Sequence, residues 1–162
     1  MDRFWSWLAK HFPLRMIYCD GGEAYLQRFY VCGDPGAIHY WPEGTRARLG
    51  WLPFAVYMHK FLRPDMDRDL HNHPWHKAVS LELSGGYTEE REAGSGFVSR
   101  RLRPGRVNVI RRNTFHRVER LHGAHTWTLF VTGKFAGSWS FRERETGVDV
   151  PWRRYLGERG RL

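Results

Sequence analysis

His71-Asn72-His73-Pro74-Trp75-His76 decides how this chain is read. On an extended strand, residues two apart face the same way. The H-x-H pair therefore aims two imidazoles at one point, with backbones roughly 6 to 7 Å apart. That spacing suits two adjacent ligands of a metal ion, and a third ligand has to come from another strand. Pro74 directly after the pair fits a strand end, where a missing N–H breaks no ladder.

Short strand-like runs extend outward on both sides: Ala24 to Val31, Leu52 to Leu62, His76 to Leu83, Phe97 to Leu102, Val107 to Arg112, His116 to Leu121, Thr126 to Thr132 and Ser138 to Arg142. Turn residues separate them at Gly33-Asp34-Pro35-Gly36, Arg63-Pro64-Asp65, Gly85-Gly86, Gly94-Ser95-Gly96, Pro104-Gly105, His122-Gly123 and Gly133. Many short strands with no helix between them indicate a sandwich or a barrel. Upstream, Phe4, Trp5, Trp7, Leu8 and Phe12 share a helical face that Pro13 ends, and this short helix is expected to pack on its own domain. The expected organisation is an N-terminal helix and lead-in over 1–20, a β-barrel over 21–142, and a polar tail over 143–162 with a helical turn around Trp152 to Leu156. Both the length of 162 residues and the aromatic content of 15% suit one domain with a packed core.

No stretch of 18 apolar residues occurs, so no membrane span is expected, and no secretory signal is read at the start. Neither Cys19 nor Cys32 sits in a C-x-x-C pair, so a zinc ribbon or finger is not expected; a disulfide between them is open, and two buried free thiols in a reducing cytoplasm are the favoured reading. The net charge of +9 allows a nucleic-acid partner. The arginines are scattered, however, and a solvated basic surface is the simpler reading.

The stretch resembles the cupin superfamily. The first cupin motif is H-x-H, three or four residues, Glu, six residues and Gly; here His71, His73 and Gly85 match, while the Glu position falls near Lys77 to Ala78. The second motif, G-x5-P-x-G-x2-H, is matched by Gly105 and His116, with Arg111 for the Pro and Asn113 for the last Gly. Asn tolerates φ > 0, so the turn is expected to survive. The region 50–142 also resembles small bacterial and phage cupin-like proteins, through Tyr57-Met58-His59-Lys60-Phe61-Leu62-Arg63, Ser84-Gly85-Gly86-Tyr87, Trp127-Thr128-Leu129 and Thr132-Gly133. Those proteins usually carry Asp where this chain has His76. The resemblance implies an all-β, single-domain double-stranded β-helix, the jelly-roll or cupin barrel. It also implies a metal held by His71, His73 and His116; the departure at His76 leaves that residue open as a fourth ligand or merely a surface histidine.

Neutral imidazoles leave the full charge on the ion and suit Fe, Ni, Cu or Zn over Mg or Ca. With Fe(II), the favoured ion, the site resembles the three-histidine dioxygenases of the superfamily. The expected function is therefore a metal-dependent oxygenase acting on a small polar or anionic molecule. A non-catalytic ligand-binding module and a basic nucleic-acid-associated protein are the alternatives, and a homodimer is expected by fold analogy. Tyr57 and His59 are candidates to line the site, and Arg63 and Arg112 are candidates to clamp an anion. Glu82 and Glu119 sit on strands, where an arginine salt bridge is the simpler account. For Asp65, Asp67 and Asp69 the choice lies between loop solvation and orienting a ligand imidazole. Neither cysteine is expected near the site.

Overall fold

The structure, a computed structural model, describes residues 2–19, 22–33, 48–94 and 96–160. The turn residues expected at Asp34, Pro35, Gly36 and Ser95 lie outside the described residues. Among those described, the strands are β1 (Leu14–Tyr18), β2 (Ala24–Cys32), β3 (Ala55–Phe61), β4 (Leu70–His71), β5 (Lys77–Ser84), β6 (Tyr87–Ala93), β7 (Gly96–Leu102), β8 (Val107–Arg111), β9 (His116–Leu121), β10 (Thr126–Thr132), β11 (Ser140–Arg142) and β12 (Asp149–Pro151). Helix α1 (Asp2–Ala9) precedes them and α2 (Trp152–Gly157) follows. One sheet has the order β1-β2-β3-β10-β5-β8, the other β12-β11-β4-β9-β6-β7. From β4 to β11 the chain passes repeatedly between the two sheets, which makes a jelly roll with one interior.

Side-chain alternation explains which strands form. In β8, Asn108 and Ile110 are buried while Val107, Val109 and Arg111 are exposed. In β5, Ala78, Ser80 and Glu82 turn inward. Strand β10 is buried on both faces. Its inner side chain Phe130 joins Tyr30, Tyr57, Trp75, Ala78 and Ile110 inside the barrel. On the outer face Trp127 packs with Phe29, Met58 and Ala9 beneath α1. Helix α1 thus covers the outside of the first sheet. It ends at Ala9, earlier than the expected 3–12, but turn hydrogen bonds through Phe12 (N–H to the Ala9 carbonyl, 3.0 Å) keep Phe12 on the same apolar cluster.

Several boundaries differ from expectation. Strand β3 begins at Ala55 because Leu52 belongs to a turn closed onto the Leu49 carbonyl (3.0 Å). Strands β1, β6 and β12 were not expected. β1 pairs along β2, and β6 lies between β7 and β9. The segment after Arg142 carries more than a polar tail: β12 pairs with β11, and α2 buries Tyr155 against Phe141 (ring centroids 3.9 Å apart). Asn113 does not adopt a positive φ. Its turn is instead closed by Thr114, whose N–H donates to the Arg111 carbonyl (2.9 Å) and whose Oγ1 accepts the Arg111 N–H (3.0 Å).

Candidate metal centre

His71 lies at the end of β4 and is paired directly with His116 at the start of β9. His73 is not on a strand. The chain from Asn72 to His76 crosses from one sheet to the other, held by Asn72 N–H to the Ser140 carbonyl (3.1 Å) and by a bridge between Trp75 and Phe135. The His73 ring stacks on Trp75 (5.5 Å) and meets Phe130 (6.1 Å), and these contacts orient it toward the other two. The three ring centroids lie 5.1 to 5.2 Å apart. One ring nitrogen from each histidine falls within 4.8 Å of the others. His73 Nε2 and His116 Nε2 are 2.9 Å apart and share a hydrogen bond. The convergence comes from a cross-strand pair plus a corner, not from two side chains on one strand.

Glu89, on the unexpected β6, supports this cluster and is fully buried. Its Oε1 lies 2.7 Å from His116 Nδ1 and accepts from Asn108 Nδ2 (2.9 Å), while Oε2 accepts from Arg91 Nε (2.7 Å). Burial alone raises the Glu89 pKa, but the bonds and charges of His116 and Arg91 outweigh it and hold the value at about 2. A carboxylate at Nδ1 fixes the His116 tautomer with its Nε2 lone pair facing the cluster. Burial first, then the neighbouring imidazoles, push His73 well below the usual histidine value. Burial also lowers His71, against the opposing charge of Asp65. Neutral rings are what a metal site requires. Three imidazoles, one of them backed by a carboxylate, form a donor set that fits a borderline divalent ion of the Fe, Ni, Cu or Zn group.

The cluster opens onto a cavity of about 410 Å³, within the range of roughly 300 to 1,000 Å³ for small-molecule sites. Its walls are mostly apolar and include Tyr25, Phe61, Trp75, Phe130, Trp139 and Phe141. His59 lines it, buried, and accepts from Arg28 Nε at Nε2 (3.0 Å). Burial, then the Arg28 charge, keep His59 neutral. Tyr57 is buried behind it and stacks on the His59 ring (6.0 Å).

Other sequence candidates fall elsewhere. His76 is exposed and outside the cluster. Arg63 pairs with Glu23 (3.2 Å), and Arg112 donates to the Ala136 carbonyl; neither lines the cavity. Glu119 is exposed on β9. Among the described residues Glu82 meets no arginine: its carboxyl is buried beside Tyr87, and burial followed by the charge of Glu89 raises its pKa to about 9. Asp65 Oδ2 stands 3.9 Å from His71 Nδ1, and Asp65 accepts from the Tyr25 hydroxyl and the Val118 N–H (2.6 Å). Asp67 and Asp69 both accept from the Tyr155 hydroxyl (3.1 and 2.7 Å), so they tie down α2. Contrary to expectation, Cys19 does line the cavity. Two contributors, Glu89 and Arg28, went unread. The signal available for Glu89 was its place two residues after Tyr87, behind the tight Gly85-Gly86 turn. Arg28 had only strand alternation in β2 to mark it.

No protein-family model matches the chain, and no curated protein does. Solved structures do. KdgF from Halomonas sp. is similar at a TM-score of 0.51 and 18% identity, over 77% of this chain and 91% of that one. A DMSP lyase structure is similar at 0.52 and 16%, over 77% of this chain and 58% of its own. Fe(II)-HppE is similar at 0.50 and 11%, over 77% and 57%. The chain thus spans a little over half the length of the latter two. At these identities the likeness is one of fold. Two antiparallel six-stranded sheets sharing one interior, with the neighbours that share this architecture, give the chain the cupin fold.

Proposed function

We propose that the chain is a metal-dependent cupin enzyme in which His71, His73 and His116 hold one divalent ion, Fe(II) first, and that it is an oxygenase for a small molecule bound in the adjoining cavity. The observation that carries this reading is the convergence of three ring nitrogens within 4.8 Å at a cavity wall. When bound, the ion supplies a Lewis-acid and redox centre with open coordination positions. The protein residues do the rest. Glu89 holds the proton on His116 Nδ1, so that Nε2 stays a donor to the ion. Trp75 and Phe130 pack on the His73 ring and exclude water from that side. Asp65, fixed by Tyr25 and the Val118 N–H, stands beside His71 Nδ1. His76 stays outside the ligand set.

Elemental analysis of purified protein tests the site. About one ion per chain is expected in the wild type and in His76→Ala, with strong loss in His73→Ala. Equal metal in all three rejects the ligand set. Oxygen uptake after anaerobic Fe(II) loading tests the reaction class. Retained metal without uptake, across a panel of small acids, leaves a metal-bearing ligand-binding module.

A further inference from the structure

Among the described residues the cavity wall carries one lysine or arginine side chain, and no carboxylate in that wall forms an ion pair with it. Among the described lining residues Arg28 is the sole lysine or arginine. It lies on β2, paired across the sheet with His59 on β3. Its Nε donates to His59 Nε2 (3.0 Å), and its guanidinium carbon sits 5.3 Å from the centre of the Tyr57 ring. These two contacts fix the stem and one edge of the fork. Among the described residues no carboxylate pairs with it, and its terminal nitrogens have no protein acceptor. Asp65 and Asp67 share the wall without contacting it, and a half-buried cation that no acceptor meets directly is costly. A planar fork with two free N–H-bearing ends matches a carboxylate bidentately.

We propose that Arg28 is the anion subsite of this cavity, and that the ligand is a compact monocarboxylate whose apolar body lies against the aromatic walls. It rests on the proposed metal centre only in placing the other end of the ligand near the imidazoles. A single charge follows from the lining: one arginine favours the anion, while Asp65 and Asp67 in the same wall disfavour a second negative charge. An aromatic or branched body fits Phe61, Phe130, Phe141 and Trp139, which supply much of the largely apolar wall. Tyr57, behind the wall, is a positioning residue; His59 holds the guanidinium and also lines the cavity.

Three probes of similar shape separate the terms: benzoate, neutral benzamide, and phenylphosphonate at a pH where it is doubly charged. Binding is measured by titration calorimetry on the full chain as purified, and again after chelator treatment. Benzoate is expected to bind about tenfold or more tighter than benzamide, the scale of a charge-assisted hydrogen-bonded pair, and tighter than phenylphosphonate. Arg28→Gln should erase the preference and Arg28→Lys should keep part of it, with metal content unchanged in both. Equal binding of benzoate and benzamide overturns the subsite, as does a preference that survives Arg28→Gln. A preference seen only with metal present also overturns it, since the ion would then be reading the charge. If Arg28→Gln fails to fold, the three-probe comparison on the wild type decides alone. Loss of the metal reading shows in elemental analysis and leaves this comparison intact.

Discussion

The Glu89 carboxylate carries no solvent exposure, yet it stays ionised because His116, Arg91 and Asn108 all donate to it. That one side chain decides which nitrogen of His116 faces the cluster. Replacing it with a neutral group of equal size keeps the shape and removes the charge. Glu89→Gln is therefore expected to weaken metal retention by about ten- to a hundredfold, the usual effect of losing such an outer partner. Competition against a chelator of known affinity measures it, and an unchanged affinity would show that the tautomer is set elsewhere. The three histidines were legible at this scale because H-x-H and the second-motif histidine have characteristic spacing. Glu89 was not, because Thr88-Glu89-Glu90-Arg91-Glu92 looks like a solvated charge run until burial is known. Arg63 and Arg112 were the chosen anion clamps for the converse reason: flanking the motifs in sequence did not place them in the cavity.

The element that matters most to the site is the corner from β5 into β6. Gly85 and Gly86 have φ of +86° and +100°, a region that side chains disfavour. A Cβ on Gly85 would stand 2.5 Å from the His125 carbonyl oxygen, and one on Gly86 would stand 2.6 Å from that of Leu102. Gly85→Ala is expected to destabilise the fold by about 1 to 3 kcal/mol and, by shifting β6 and its Glu89, to lower metal content as well. Urea unfolding beside elemental analysis reads both effects; a stable variant with full metal would show that the corner relaxes freely. Strands β9 and β10 were legible at both ends because their inner positions are marked in sequence, by apolar residues and by His116. Strands β1, β6 and β12 were not. Four of the seven residues of β6 are charged, and β1 and β12 become strands only through their partners β2 and β11. The His73 crossing was hidden for a similar reason: β4 already ends at His71, and the corner is set by Ser140 and Phe135.

Across the whole molecule, buried groups tie stability to pH, and Glu82 and His59 act at opposite ends of the range. Glu82 is protonated in the folded chain up to about pH 9, whereas unfolded it ionises above about 4.5. The unfolded state therefore releases a proton that the folded state keeps, and stability falls by about 1.4 kcal/mol per unit as pH rises through that window. His59 acts at the other end. Its folded value lies well below 6.5, so stability is lost as pH falls beneath 6.5 and the unfolded chain takes up a proton. Glu82→Gln removes the first effect. The variant is expected to exceed the wild type in urea midpoint at pH 8, with the gap closing near pH 5. A constant gap would mean that Glu82 finds a partner or a path to solvent. By itself the sequence determined that short strands build a sandwich or a barrel and marked three histidines as candidates, because alternation, turn residues and H-x-H spacing are local patterns that survive without a partner. Only the tertiary structure decided which charges are buried, which arginine faces the cavity, and how a corner completes the three-imidazole cluster. Those properties belong to pairs of segments far apart in the chain, brought together by closing two sheets over one interior.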